Sequence, residues 1–131
     1  MSVILVVDDR PELARLAGLL ISGAGYEVDV VHSGLDALAA IQRRQIDLMV
    51  LDESMPEMNG LEVLRILHGA GDNDDPRDQF PFPLPVVVMF SALEEARNDA
   101  LALGAAAFVS KSNPRLLLPA VVQHLVTQPR V

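Results

Sequence analysis

Residues 3–9 read Val3-Ile4-Leu5-Val6-Val7-Asp8-Asp9, an unbroken apolar run that is mostly β-branched and ends on two acids. A strand without polar alternation is covered on both faces, as strands of a parallel sheet are. Pro11 follows and can occupy a first helical turn. Leu13, Leu16, Ala17 and Leu20 then recur at helical spacing, and Gly23 and Gly25 supply a stop. The unit is therefore strand, acidic turn, helix.

The same rhythm continues outward. Glu27–Val31 reads as a second strand, and Ser33 can cap a helix that carries Leu35, Leu38, Ala39 and Ile41. Ile46–Leu51 reads as a third strand with Asp52 at its carboxyl end, followed by a helix with Leu61, Val63, Leu64 and Leu67. Gly69 to Pro85 breaks the pattern with Asp72-Asn73-Asp74-Asp75-Pro76 and a Pro81/Pro83/Pro85 run, and reads as a long loop over 69–85. Val86–Phe90 is a fourth strand, Glu94–Leu103 a helix closed by Gly104, and Ala106–Val109 a fifth strand. Pro114–Val126 is a last helix, which Pro119 should bend or start late by removing a donor.

Strands alternating with helices imply an α/β fold, a single five-stranded parallel sheet with helices on both faces and right-handed crossovers. The 131 residues fit one domain spanning 1–131, with no internal repeat and no output domain expected. No cysteine is present, so disulfides and thiolate metal sites are excluded. The amino terminus lacks the features of a signal peptide, and no apolar run approaches a membrane span, so a soluble, cytoplasmic chain is expected. The net charge of −8 and an aromatic content of 4% argue against direct nucleic-acid contact.

In open α/β sheets, ligands bind beyond the carboxyl ends of the strands. Asp8, Asp9, Asp52, Ser91 followed by Ala92, and Lys111 all fall there. Taken singly, each has an ordinary reading: an acid as helix N-cap, a lysine in solvent, a serine ending a strand. Together they make a site. Clustered carboxylates call for a cation, and hard oxygen ligands with an open position suit Mg²⁺. A carboxylate can attack phosphorus and form an acyl phosphate, whose oxygens Lys111 and the Ser91 hydroxyl could hold. His32, His68 and His124 share no spacing with these acids and are read as surface or core residues without a metal role. A nucleotide-binding α/β enzyme or a phosphatase is disfavoured. There is no Gly-x-Gly-x-x-Gly after the first strand and no Gly-Lys-Ser, and neither acidic pair has the one-residue spacing of a haloacid-dehalogenase-like nucleophile.

Four segments closely resemble the response-regulator receiver family: Asp8-Asp9; Leu51-Asp52-Glu53-Ser54-Met55-Pro56-Glu57-Met58-Asn59-Gly60; Phe90-Ser91-Ala92; and Gly104 through Lys111. The resemblance implies a flavodoxin-like strand order 2-1-3-4-5. It implies Asp52 as phosphoacceptor and Mg²⁺ bound by the side chains of Asp9 and Asp52, the backbone carbonyl of Glu53, and Asp8 through water. By the same resemblance Ser91 and Lys111 contact the phosphoryl group, Phe108 is the switch aromatic, and Ser54 and Ala92 modulate. The implied partner is a histidine kinase or histidine phosphotransfer protein, with output through contact with a further protein. The chain would be a switch that catalyses only its own phosphorylation and dephosphorylation. The alternative is a phosphorylation-independent interaction module of the same fold, against which the complete acid and lysine set argues. Departures include Lys111-Ser112 where the family has Lys-Pro, a bond expected to be trans because a non-proline cis bond costs about 2.5–4 kcal/mol.

Overall fold

A computed structural model describes residues 2–68 and 80–126. Strands β1 (Val3–Val7), β2 (Glu27–Val31), β3 (Leu48–Leu51), β4 (Val86–Ser91) and β5 (Ala107–Ser110) alternate with helices. These are α1 (Pro11–Ser22), α2 (Gly34–Arg43), α3 (Gly60–His68), α4 (Arg97–Ala102) and α5 (Leu117–Val126). The sheet order is β2-β1-β3-β4-β5 and every pairing is parallel, the order the family resemblance implies. β1 and β3 are buried along their whole length, which is why their sequences show no alternation.

The sheet separates two apolar cores. Leu5, Val7, Met49, Leu51 and Met89 face α2, α3 and α4, with Ala37, Leu64 and Ala100. Ile4, Val6, Val50 and Val88 face α1 and α5, with Ala14, Ile21 and Val121.

Several boundaries differ from the sequence reading. β3 starts at Leu48, not Ile46, because Asp47 closes the neighbouring strand instead: its carboxylate accepts from Val3 N at 2.8 Å. β4 runs one residue further, to Ser91, and β5 is shifted by one residue, to Ala107–Ser110. The helix expected over 94–103 opens as a 3-10 turn, Glu94–Ala96, before α4. The last helix likewise begins with a 3-10 turn at Pro114–Leu116, and Pro119 falls in the first turn of α5, where its missing N–H has no helical acceptor to lose. Pro119 thus delays the helix. Residues 69–79 of the expected loop lie outside the described residues. Beyond them, Phe80 is buried in the same core as Leu64, Leu67 and Ala100.

Most of the apolar residues whose spacing marks α1 do not face the sheet. Leu13, Leu16 and Leu20 are exposed, and Ala14, Ala17, Gly18 and Ile21 face the sheet. Small residues let α1 lie close: a Cβ on Gly18 would sit 3.3 Å from Val30 Cγ2. A leucine in place of Gly18 would crowd Val30 at this separation.

Candidate functional site

The acidic turn after β1 organises itself. Asp8 Oδ1 accepts from Arg10 N at 2.9 Å, which folds the chain back toward Pro11 and the start of α1. The second carboxylate oxygen stays available for long-range contact. At the end of β3, Asp52 N donates to Val7 O at 3.0 Å, so the last rung of the β1–β3 ladder sets Asp52 beside Asp8. Carboxylate oxygens of Asp8, Asp9 and Asp52 lie within 4.8 Å of one another. Asp8 and Asp52 are each only 4% exposed, whereas Asp9 is half-buried.

Lys111 reaches this cluster from just past β5. Its Nζ is 2.7 Å from Asp8 Oδ2 and 3.4 Å from Asp52 Oδ2. Its backbone N donates to Ser91 O at 3.0 Å, which extends the β4–β5 ladder and fixes the root of the side chain. Burial pushes the Asp52 carboxyl above its ordinary value. Lys111 pulls the other way, Asp8 adds to the rise, and the Ser54 backbone N–H bonded to the carboxylate lowers it. The result is a desolvated carboxylate whose charge is held by one lysine.

The remaining expected residues are placed as follows. Ser91 is fully buried and its Oγ accepts from Leu93 N at 3.1 Å; Ala92 and Ser54 are exposed on the rim. Phe108 is buried, and the Arg97 guanidinium lies 4.8 Å from its ring centroid. Glu53, whose carbonyl is expected to face the metal, has that oxygen engaged within the turn. Its backbone oxygen already accepts from Met55 N at 3.0 Å and Gly60 N at 3.1 Å, which engages both lone pairs. Its side chain turns away to accept from Leu61 N at 2.8 Å, at the start of α3. Glu53 therefore shapes the β3–α3 turn through both its carbonyl and its side chain.

Sequence reading missed three features here. His32 Nδ1 lies 3.1 Å from Asp8 O, so this histidine sits on the rim of the site. Asn59 and Glu62 form a reciprocal cap on α3: Glu62 N donates to Asn59 Oδ1 at 2.9 Å, and Asn59 N to Glu62 Oε1 at 3.2 Å. The Asn-x-x-Glu spacing was the available signal for it. Finally, Ser112 N donates to Ser110 Oγ at 3.2 Å and the two hydroxyls are 2.7 Å apart. A proline at 112 could not donate that bond, so the departure from Lys-Pro builds its own turn, and no described peptide bond is cis.

Asp8, Asp9 and Asp52 offer the all-oxygen donor set of a hard divalent cation, with Lys111 beside them for a further anion. Comparison with known proteins gives a consistent picture. MtrA of Mycolicibacterium smegmatis, a DNA-binding response regulator, is 42% identical over 64 residues, 49% of this chain and 28% of MtrA. A protein-glutamate methylesterase/protein-glutamine glutaminase of Rhodospirillum rubrum is 35% identical over 122 residues, 90% of this chain and 30% of that protein. The chain thus spans less than a third of the length of these relatives. Among solved structures, the response regulator TrrA of Thermotoga maritima, in complex with Mg²⁺ and BeF, superposes with a TM-score of 0.77 at 30% identity, over 95% of this chain and 99% of TrrA. The response regulator receiver domain model matches residues 4–123, and with that match on this sheet order the chain belongs to the receiver-domain family of two-component response regulators.

Proposed function

We propose that the chain is a phosphorylation-dependent switch in which Asp52 accepts a phosphoryl group from a phosphohistidine on a histidine kinase or phosphotransfer protein. The carrying observation is the convergence of Asp8, Asp9, Asp52 and Lys111 at the carboxyl edge of the sheet, with Lys111 Nζ within reach of both buried acids. Receiver domains are signalling switches, and the complete set of charged groups supports this reading over a phosphorylation-independent interaction module.

In the proposed reaction an Asp52 carboxylate oxygen attacks phosphorus as the P–N bond to the histidine breaks, and the imidazole leaves with the electron pair and takes up a proton. Mg²⁺, when bound, neutralises charge shared by the carboxylates and the incoming phosphoryl oxygens. Asp9 and Asp52 would hold it directly, with Asp8 acting through water. Lys111 is already paired with two carboxylates, so a phosphoryl group on Asp52 offers it a stronger anionic partner at the same place. Ser91, buried at the end of the neighbouring strand, has a hydroxyl proton to donate to a phosphoryl oxygen. Ser54 and Ala92 on the rim govern access of water to the acyl phosphate. Output is proposed to leave through protein contact around β5 and its flanking helices, and the net charge of −8 supports a protein target over direct DNA contact. A cytoplasmic setting follows from the proposed kinase chemistry; no described helix is long and apolar enough to cross a membrane.

The test is incubation with acetyl phosphate and Mg²⁺, read by intact mass. One acid-stable, base-labile phosphoryl group should appear and should be absent from Asp52→Asn. Stoichiometric phosphorylation of Asp52→Asn would overturn the assignment.

A further inference from the structure

Asp8 is bonded through its backbone as well as its carboxylate, and one of its partners is a side chain from the end of β2. Its N–H donates to Val31 O at 3.2 Å, Oδ1 accepts from Arg10 N at 2.9 Å, and Oδ2 meets Lys111 Nζ at 2.7 Å. Its carbonyl oxygen lies 3.1 Å from His32 Nδ1. A carbonyl can only accept, so Nδ1 carries the hydrogen. Val31 ends β2 and pairs with Val7, which ends β1. Beyond that last pair of the ladder, the imidazole supplies the donor that the Asp8 carbonyl meets.

The root of the imidazole is held on both sides. Val31 precedes it in the ladder, and Ser33 follows as the N-cap of α2, its Oγ accepting from Asp36 N at 3.0 Å. His32 is an exposed residue, yet its backbone is fixed between a strand end and a helix cap. The ring is therefore presented to Asp8 by a rigid frame.

The bond bears on Asp9. The Asp8 carbonyl belongs to the peptide that joins Asp8 to Asp9, and a peptide is planar, so holding its oxygen also sets where the N and Cα of Asp9 lie. Asp9 is the least buried of the three acids whose carboxylate oxygens lie within 4.8 Å of one another, so packing constrains it least. That group is Asp8, Asp9 and Asp52 without His32, which places the histidine behind the donor set and not in it.

We propose that His32 is a positioning residue for the metal site: by donating from Nδ1 to the Asp8 carbonyl it fixes the Asp8–Asp9 peptide, and so presents the Asp9 carboxylate to a divalent cation shared with Asp52. This rests on the Mg²⁺ site of the proposed function. Groups that hold metal ligands from behind change metal affinity when they are removed. Here the bond acts through backbone at the rim, where water can partly replace it, so its loss should weaken Mg²⁺ binding about three- to tenfold, the effect of one hydrogen bond.

The experiment uses the full chain and has two readouts, neither of which involves phosphorylation. First, the three histidines are labelled with ¹⁵N, and the His32 signals are assigned by their loss in His32→Asn. In the metal-free protein at about pH 9, where histidine side chains are neutral, the ring nitrogen shifts of His32 should report the Nδ1–H tautomer. An Nε2–H tautomer would overturn the proposal. Second, Mg²⁺ is titrated into wild type, His32→Leu and His32→Asn, followed by amide NMR. Leucine and asparagine have nearly the same shape, but only the asparagine amide can donate from the place of Nδ1. His32→Leu should bind Mg²⁺ about three- to tenfold more weakly, and His32→Asn should recover most of that loss. A merely structural role would lower Tm and leave Mg²⁺ affinity in place. Unchanged affinity in His32→Leu, or an equal loss in both variants, would overturn the proposal. A wild type that binds no Mg²⁺ would overturn the metal site and this inference together. A wild type that binds Mg²⁺ and is not phosphorylated would end the phosphoacceptor reading alone, and the tautomer and the titration would still decide the role of His32.

Discussion

Replacing Gly60 by alanine should damage the site from behind. Gly60 opens α3, and a Cβ built there would lie 2.5 Å from Asp52 O, 2.9 Å from Met89 Cε and 3.0 Å from Glu53 Cα. The methionine methyl can swing aside. The two backbone atoms can retreat only if the end of β3 moves with them, by roughly 0.5–1 Å to reach ordinary contact. That displacement strains Gly60 N to Glu53 O, at 3.1 Å, and shifts the carboxylate of Asp52 relative to Asp8 and Lys111. Overpacking of this kind costs about 1–3 kcal/mol, and a weakened hydrogen bond about 0.5–1.5 more. The better helix propensity of alanine returns at most about 1 kcal/mol, and less in a first turn. The net loss is about 2–3 kcal/mol, which lowers Tm by roughly 6–15 °C for a domain of this size. Thermal unfolding followed by far-UV circular dichroism reads the stability, and a Mg²⁺ titration reads the site, where affinity should fall. Gly25→Ala is the control. Gly25 has φ +101° with nothing within 4 Å of a built Cβ, so its substitution strains the backbone and leaves Mg²⁺ affinity alone. A Gly60→Ala variant that melts within about 2 °C of wild type and binds Mg²⁺ normally would refute the argument.

Glu57 adopts φ 68° in the β3–α3 turn, a conformation that disfavours a side chain, so Glu57→Gly should stabilise by about 0.5–1 kcal/mol, seen as a higher urea midpoint at unchanged slope. Asp9→Ala should abolish Mg²⁺ binding in a titration with little change in melting, because losing a carboxylate relieves repulsion among the acids; retained affinity would remove Asp9 from the metal set. Burial raises the pKa of Asp52, with Lys111 opposing, and burial likewise raises that of Glu53, so both bind protons more tightly folded than unfolded. The sign follows: each destabilises the fold above its raised pKa, and this is relieved as pH falls through that value toward the ordinary carboxylate range near about pH 4. Metal-free wild type should therefore lose less stability on mild acidification than the other acids alone would dictate, and Asp52→Asn, measured by denaturant unfolding across pH, should lack part of this relief.

The parts of the fold that were legible are those where burial is two-sided. β1 and β3 must exclude polar residues along their whole length, so they stand out as apolar runs, and the acids that follow them mark the edge where the candidate site lies. One-sided burial was harder to read. On α1 the larger apolar residues, Leu13, Leu16 and Leu20, have helical spacing, yet the sheet side is taken by Ala14, Ala17, Gly18 and Ile21. Periodicity finds a helix without saying how close it packs, and close packing selects small residues. The contacts missed at the site join elements that sequence spacing does not relate. His32 reaches Asp8 across 24 residues, and Arg97 reaches Phe108 across 11, from one element to another. The engagement of the Glu53 carbonyl was not legible either: the Met55–Gly60 turn recruits it twice, a demand of the turn that the motif itself does not display.

The charge arrangement ties the chemistry to the sheet. Two buried acids and one lysine form a compact group in which no member can change partners alone, since a buried charge left unpaired is costly. A phosphoryl group on Asp52 would draw Lys111 toward new oxygens and leave Asp8 in need of another cation, which is the part a bound Mg²⁺ would fill. Lys111 cannot be drawn far without its backbone following, and that backbone is bonded to Ser91 O at the end of the β4–β5 ladder. The lysine and the serine therefore share one rung. In the proposed function each feels the phosphoryl group directly, so the two pulls converge on the end of β4 and on β5, the strand that carries Phe108 beneath Arg97. A change of charge at Asp52 becomes a change of strain at this edge of the sheet, and that edge is where a protein partner would have to detect it.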